Sequence, residues 1–209
     1  MSSILSPDHR HLMAILRGVE PDDVKDIGLA LVDAGITRIE VPLNSPQPLD
    51  SISILADSLK TDAMVGAGTV LTIRHVQAVQ DVGGQFIVSP NTDIEVIKAT
   101  RSRDMQSYPG VYTPTEAFAA IKAGANALKL FPAFKIGLDG VKAMKAVLPE
   151  DMPLYAVGGV DAGAFIEWRR AGCIGFGMGS SLYKPGDRAD VVGQRAKSLV
   201  FAYDALLAL

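Results

Sequence analysis

The sequence predicts a single-domain α/β protein, a (β/α)8 TIM barrel spanning residues 1–209. Three observations predict it. Short apolar runs recur eight times along the chain. Each is followed by turn residues and then by a segment with apolar residues at helical spacing, as in Val24, Ile27 and Leu31, or Val76 and Val79. No composition break or low-complexity linker interrupts the series. Strands joined by crossover helices make a parallel sheet, and eight of them close into a barrel. The rival is an open doubly wound sheet, which the regular eightfold count disfavours. A chain of 209 residues is short for a barrel, so the loops must be tight.

In chain order, residues 1–11 read as an arm or short helix across one barrel mouth, and 12–16 as the first strand. Pro21-Asp22-Asp23 opens a helix over 22–34, which Gly35 ends. The strand 38–43 leads to a helix over 46–59, and the strand 63–68 to one over 73–82, stopped by Gly83-Gly84. The fourth and fifth units pair 85–89 with 93–102, and 105–108 with 115–123. The fifth helix starts at Thr113-Pro114-Thr115-Glu116, a capping-box pattern, and stops at Ala123-Gly124. The last three pair 127–131 with 140–148, 154–157 with 162–171, and 175–178 with 189–207.

The bulk composition narrows the function classes. Hydrophobic residues are 48% and charged residues 21%, a globular balance. A formal net charge of −3 exerts no general pull on nucleic acid, and the longest basic cluster, Trp168-Arg169-Arg170, is too short for a nucleic-acid footprint. The one cysteine, Cys173, excludes an intrachain disulfide and fits a reducing cytoplasm. The first residues lack a basic stretch followed by a long apolar one, and no apolar run reaches the roughly 20 residues of a membrane span. A cytoplasmic protein without membrane or nucleic-acid partners is expected.

Lys129 carries the strongest chemical signal. It lies in Ala127-Leu128-Lys129-Leu130-Phe131-Pro132, whereas the nine other lysines fall in polar, helical or loop contexts. An ammonium on an apolar strand is expensive to desolvate. Burial lowers its pKa, and a free amine near neutral pH can attack a carbonyl to form a Schiff base. Glu40, in Ile39-Glu40-Val41, is the one glutamate of six on an apolar strand. Side chains alternate faces along a strand. If the bulky aliphatics face the helices, Lys129 and Glu40 both point into the barrel, near the C-terminal mouth where barrel enzymes place their chemistry. One reading is a structural ion pair; the other is an imine-forming amine beside its proton carrier.

Other strand ends converge on the same mouth. Arg17 offers a forked donor for carboxylate or phosphate, or else a rim salt bridge. Gly66-Ala67-Gly68-Thr69 would let a ligand approach the backbone, with the Thr69 hydroxyl as a partner. Pro90, in Ser89-Pro90-Asn91, either shapes the surroundings of Glu40 or starts the next turn. Val157-Gly158-Gly159-Val160 and Gly177-Met178-Gly179-Ser180-Ser181 follow the seventh and eighth strands, where barrels commonly hold phosphate. His9 and His11 read as solvated arm residues, and His75 as a surface residue. Without a ligand cluster no metal is expected. Cys173 and Trp168 read as packing, and Gly66-Ala67-Gly68 is too little for a dinucleotide fingerprint.

Taken together, Ile15-Leu16-Arg17-Gly18, Ile39 to Pro46, Val65 to Leu71, Val88-Ser89-Pro90-Asn91, Thr115-Glu116-Ala117, Ala127 to Pro132 and Ala156-Val157-Gly158-Gly159-Val160 resemble the 2-keto-3-deoxy-6-phosphogluconate and -phosphogalactonate aldolases over nearly the whole chain. The resemblance implies a (β/α)8 barrel, usually a homotrimer, working without cofactor or metal by the class I imine mechanism. It implies Lys129 as the Schiff-base lysine and Glu40 as the acid/base, with Arg17, Thr69, Pro90, Phe131, Val157, Gly158, Gly159, Gly179 and Ser180 about the substrate. Asn44, where the gluconate branch typically has arginine, and Val157, where it has threonine, resemble the galactonate branch. The implied reaction is reversible cleavage of 2-dehydro-3-deoxy-6-phospho-D-galactonate to pyruvate and D-glyceraldehyde 3-phosphate, within galactonate catabolism. The rivals are the gluconate or a dual-epimer enzyme, a phosphate-binding isomerase or epimerase, and a non-catalytic sugar-phosphate-binding barrel.

Overall fold

In the computed structural model, which describes residues 10–208, strands and helices alternate around one parallel sheet. The strands are β1 (Leu12–Ile15), β2 (Arg38–Pro42), β3 (Met64–Gly68), β4 (Phe86–Val88), β5 (Gln106–Tyr108), β6 (Gly110–Val111), β7 (Leu128–Leu130), β8 (Leu154–Val157) and β9 (Gly175–Met178). The helices are α1 (Pro21–Ala34), α2 (Pro48–Leu59), α3 (Ile73–Asp81), α4 (Ile94–Arg101), α5 (Pro114–Lys122), α6 (Ala133–Lys145), α7 (Phe165–Ala171) and α8 (Ala189–Asp204). The order β5-β4-β3-β2-β1-β9-β8-β7-β6 has β5 and β6 at its two ends. These are one barrel strand broken at Pro109, which has no N–H to give a ladder. The first half pairs with β4 and the second with β7, so the ring closes as a (β/α)8 barrel.

The alternation of side chains sorts two apolar layers. Leu128, Leu130, Ile39 and Val41 pack outward with the helices, where Trp168 and Cys173 are also buried. Met13, Ile15, Phe86, Val88, Tyr108, Ala127, Tyr155 and Val157 fill the barrel itself. Each fully buried aliphatic or aromatic side chain contributes roughly 1.5–3 kcal/mol. Helix signals in the sequence are matched by geometry. Thr113 and Glu116 form the capping box of α5, and Gly35 ends α1 in the left-handed region at φ 94°. No helix among the described residues is long and apolar enough to cross a membrane.

Two expectations need correction. Helix α6 begins at Ala133, seven residues before the expected start, because a single break at Gly137 (φ 70°, ψ 168°) separates a first turn from the rest. His11 is not solvated. Its Nδ1 lies 2.8 Å from the Tyr155 hydroxyl, and burial, aided by Arg38 and Arg169, lowers its pKa to about 4, leaving it neutral. Residues 1–9 of the expected arm, His9 among them, lie outside the described residues; Arg10 is tied to Asp204 by hydrogen bonds of 2.6 and 2.8 Å.

The barrel floor is polar as well as aromatic. Arg38, only 1% exposed, donates to the Arg10 carbonyl at 3.2 Å. The Tyr108 hydroxyl donates to Gln106 Oε1 at 2.5 Å. Edge-to-face contacts join Phe86 to Tyr108 and Tyr108 to Tyr155, at 5.8 and 5.5 Å between ring centroids. This plug closes one end and leaves the other open.

Candidate active site

The open end holds a cavity of about 200 Å³. Ile15 and Arg17 reach it from the end of β1, Glu40 from β2, Thr69 from the end of β3, and Lys129 and Phe131 from β7 and the residue after it. The ends of β8 and β9 and the loops after them supply Val157, Gly158, Gly159, Val160, Gly177, Gly179, Ser180 and Ser181. The expected Arg17, Glu40, Thr69, Lys129, Phe131, Val157, Gly158, Gly159, Gly179 and Ser180 therefore meet in one place. Pro90 does not line the cavity; its carbonyl instead packs against Gly110, where a Cβ would overlap it. Val160, Gly177 and Ser181 also line it, from the two glycine-containing segments expected to hold phosphate, whereas Ile15 was not foreseen as a lining residue. The signal for Ile15 was its place two residues before Arg17, on the same face of the first strand.

Register explains how two charged side chains fit inside an apolar barrel. Glu40 stands level with Ile15 on one side and Gly66 on the other. Lys129 stands level with Gly110 and Tyr155. The glycines on β3 serve the protein rather than a ligand, contrary to expectation. A Cβ at Gly66 would overlap Phe86, and one at Gly68 would overlap Oε2 of Glu40. Thr69, next in the chain, holds a left-handed φ of 56°. That conformation costs a residue with a Cβ about 1–2 kcal/mol, so the surrounding structure enforces it.

Electrostatics follows from burial. Glu40 and Lys129 are 2% and 7% exposed. No hydrogen bond or ion pair within 4 Å joins them, yet each feels the other's charge. Burial lowers the pKa of Lys129, with Arg17 pushing the same way and Glu40 opposing. Burial raises that of Glu40 against the pull of Lys129 and Arg17. Burial thus favours the uncharged form of the amine and makes the carboxyl hold its proton more tightly than an exposed one. The Phe131 ring lies 4.8 Å from Lys129 Nζ, where its face stabilises positive charge developing on that nitrogen.

Another stretch of the cavity wall is rich in glycine and serine. Gly158 and Gly159 both have positive φ, 92° and 69°, which only glycine adopts without strain. The first turn of α6 braces them: Phe134 N donates to the Gly158 carbonyl at 3.2 Å. Backbone N–H groups and the Ser180 and Ser181 hydroxyls on this side offer donors without a fixed charge. Among the described residues no cluster of three His, Cys, Asp or Glu side chains is placed to hold a metal.

A protein-family model for KDPG and KHG aldolases matches residues 6–192. A relative from Rhizobium meliloti, strain 1021, named as a probable 2-dehydro-3-deoxy-6-phosphogalactonate aldolase, is 47% identical over 97% of this chain and 95% of its own. The 2-dehydro-3-deoxy-6-phosphogalactonate aldolase of Escherichia coli, strain K12, is 45% identical over 92% of this chain and 94% of its own. A solved structure described as native KDPGal superposes with a TM-score of 0.93 at 44% identity, covering 95% of this chain and 96% of that one.

Proposed function

The chain belongs to the KDPG and KHG aldolase family, and from that premise we propose that it reversibly cleaves 2-dehydro-3-deoxy-6-phospho-D-galactonate to pyruvate and D-glyceraldehyde 3-phosphate. The observation that carries this reading is a buried amine and a buried carboxyl lining one cavity at an open barrel mouth, together with a glycine-rich wall. Lys129 Nζ adds to the C2 ketone, and Glu40 protonates the departing hydroxyl so that water leaves. The resulting protonated imine draws electrons. The C4 hydroxyl gives its proton to the Glu40 carboxylate, the C3–C4 bond breaks, and its electron pair forms an enamine as the aldehyde departs. Glu40 returns the proton to C3, and water hydrolyses the imine to release pyruvate and the free amine. Arg17 and Thr69 hold the pyruvoyl end. Gly158, Gly159, Gly179 and Ser180 take the phosphate, and Val157 lies between.

The galactonate epimer is favoured by the names of the two relatives above and by Val157 and Asn44 at the positions that set the branches apart. Pyruvate release from the two C4 epimers, measured by a coupled assay, tests it. A kcat/KM at least tenfold higher for the galactonate epimer supports the reading; an equal or reversed ratio overturns it. The active form is a cytoplasmic homotrimer. Tyr112, Phe118, Phe134 and Val147, 46–58% exposed, supply apolar surface for self-association, and the buried free thiol of Cys173 suits a reducing compartment. Light scattering that returns the mass of one chain would contradict the assembly.

A further inference from the structure

The loops after β1 and β2 are fastened together by two consecutive hydrogen bonds. Arg17 Nη1 donates to Asn44 Oδ1 at 2.6 Å, and Gly18 N donates to Ser45 Oγ at 2.9 Å. Both ends of this clamp are fixed. The Ser45 N–H closes a turn onto the Pro42 carbonyl at 2.9 Å, directly beyond the strand that carries Glu40. Gly18 adopts a left-handed φ of 80° with Pro185 packed where its Cβ would stand. The backbone under Arg17 is thus held from two sides, and its guanidinium is held at the tip.

The chemistry of the tip is directional. Guanidinium only donates, so Asn44 must turn its carbonyl oxygen towards Arg17, which sends its NH2 the other way. Among the described residues neither side chain makes another hydrogen bond. The remaining guanidinium N–H groups and the amide NH2 are left for a ligand. The acceptor is also neutral. A carboxylate at position 44 would spend the guanidinium's charge internally; the amide fixes its direction and leaves the charge for an anion entering the cavity.

We propose that Asn44 is a positioning residue: it aims Arg17 at the carboxylate of the pyruvoyl group while leaving the guanidinium charge uncompensated. This rests on the function proposed above, and the test separates the two. The readout is the rate of borohydride inactivation as a function of pyruvate concentration. It is measured for the full chain and for Asn44→Ala, Asn44→Asp, Arg17→Ala and the Asn44→Ala/Arg17→Ala double variant. Asn44→Ala raises the half-saturating pyruvate concentration about three- to tenfold, the worth of one such hydrogen bond, with the limiting inactivation rate unchanged. In the Arg17→Ala background the same change has no further effect. Asn44→Asp keeps the geometry but raises half-saturation at least as much as Asn44→Ala, which a purely structural link between loops would not do.

The proposal is overturned if Asn44→Ala stays within twofold of the parent, if its effect persists without Arg17, or if Asn44→Asp binds pyruvate more tightly. It is also overturned if Asn44→Ala weakens inhibition by inorganic phosphate and not pyruvate capture, which would put the clamp at the phosphate end. If the parent protein is not inactivated at all, the Schiff-base reading itself fails.

Discussion

The Glu40 carboxyl occupies the space that a side chain on Gly68 would fill. The two residues sit on neighbouring strands, and the missing Cβ lets an acid lie against the barrel wall, where it feels the charge of Lys129. Gly68→Ala is therefore expected to push the carboxyl off its position without removing it. Overpacking of this kind costs about 1–3 kcal/mol of stability, and misplacing a proton carrier lowers kcat by roughly 100-fold. Capture of pyruvate by Lys129 should persist, slowed. Steady-state kinetics beside thermal melts separates the two effects; unchanged kcat in a folded Gly68→Ala protein would mean that the carboxyl position is immaterial.

Burial of Lys129 has a signature in stability against pH. Its pKa is lowered in the folded chain, so between that folded value and the ordinary 10.5 the unfolded chain binds the extra proton. Stability must rise with pH across that window. Glu40 works in the opposite sense: from the ordinary 4.5 up to its raised folded value the native chain binds more protons, and stability falls as pH climbs there. Lys129→Met should flatten the alkaline rise. Urea midpoints from pH 7 to about 10.5 for the two proteins test it, and parallel curves would show that the amine is not desolvated.

How legible this site was depended on where each constraint lives. Lys129 and Glu40 stood out because alternation along one strand is a local property, and a charge flanked by aliphatics breaks it visibly. The glycines of the third strand were visible, but their purpose was not. Gly66 and Gly68 make room for Phe86, 20 positions later, and Glu40, 28 positions earlier in the chain, and only the register shows that. Arg38 went unnoticed because it opens its strand, where a charge looks solvated; closure of the barrel puts it on the floor beside Tyr108 and Tyr155. The start of α6 was hidden by Gly137, which reads as a loop residue and is a break between two helical turns.

Val157 lines the cavity beside Lys129 and is 7% exposed. Val157→Thr adds a hydroxyl with almost no change of shape, and the gluconate branch carries threonine there. The expected outcome is a shift of the galactonate-to-gluconate ratio of kcat/KM towards gluconate by about tenfold, the scale of one discriminating hydrogen bond. Rates with the two epimers measure it. A ratio unmoved by the substitution would place epimer choice elsewhere in the site.

Gly159 links the proposed phosphate wall to α6. At φ 69°, and with its missing Cβ 2.8 Å from Phe134 Cβ, the position tolerates no side chain without movement. Gly159→Ala should raise KM for the phosphorylated sugar acid roughly tenfold and leave pyruvate capture by Lys129 untouched, because pyruvate carries no phosphate. Loss of both together would indicate that the wall shapes the whole cavity.

The amine itself offers the most direct test. Wild-type protein is treated with borohydride in the presence of pyruvate, digested, and mapped by mass spectrometry. The account predicts a reduced three-carbon adduct on Lys129, on none of the other nine lysines, and loss of activity in proportion to it. A protein that still cleaves its substrate after treatment with Lys129 unmodified, or one whose adduct maps to another lysine, would contradict it.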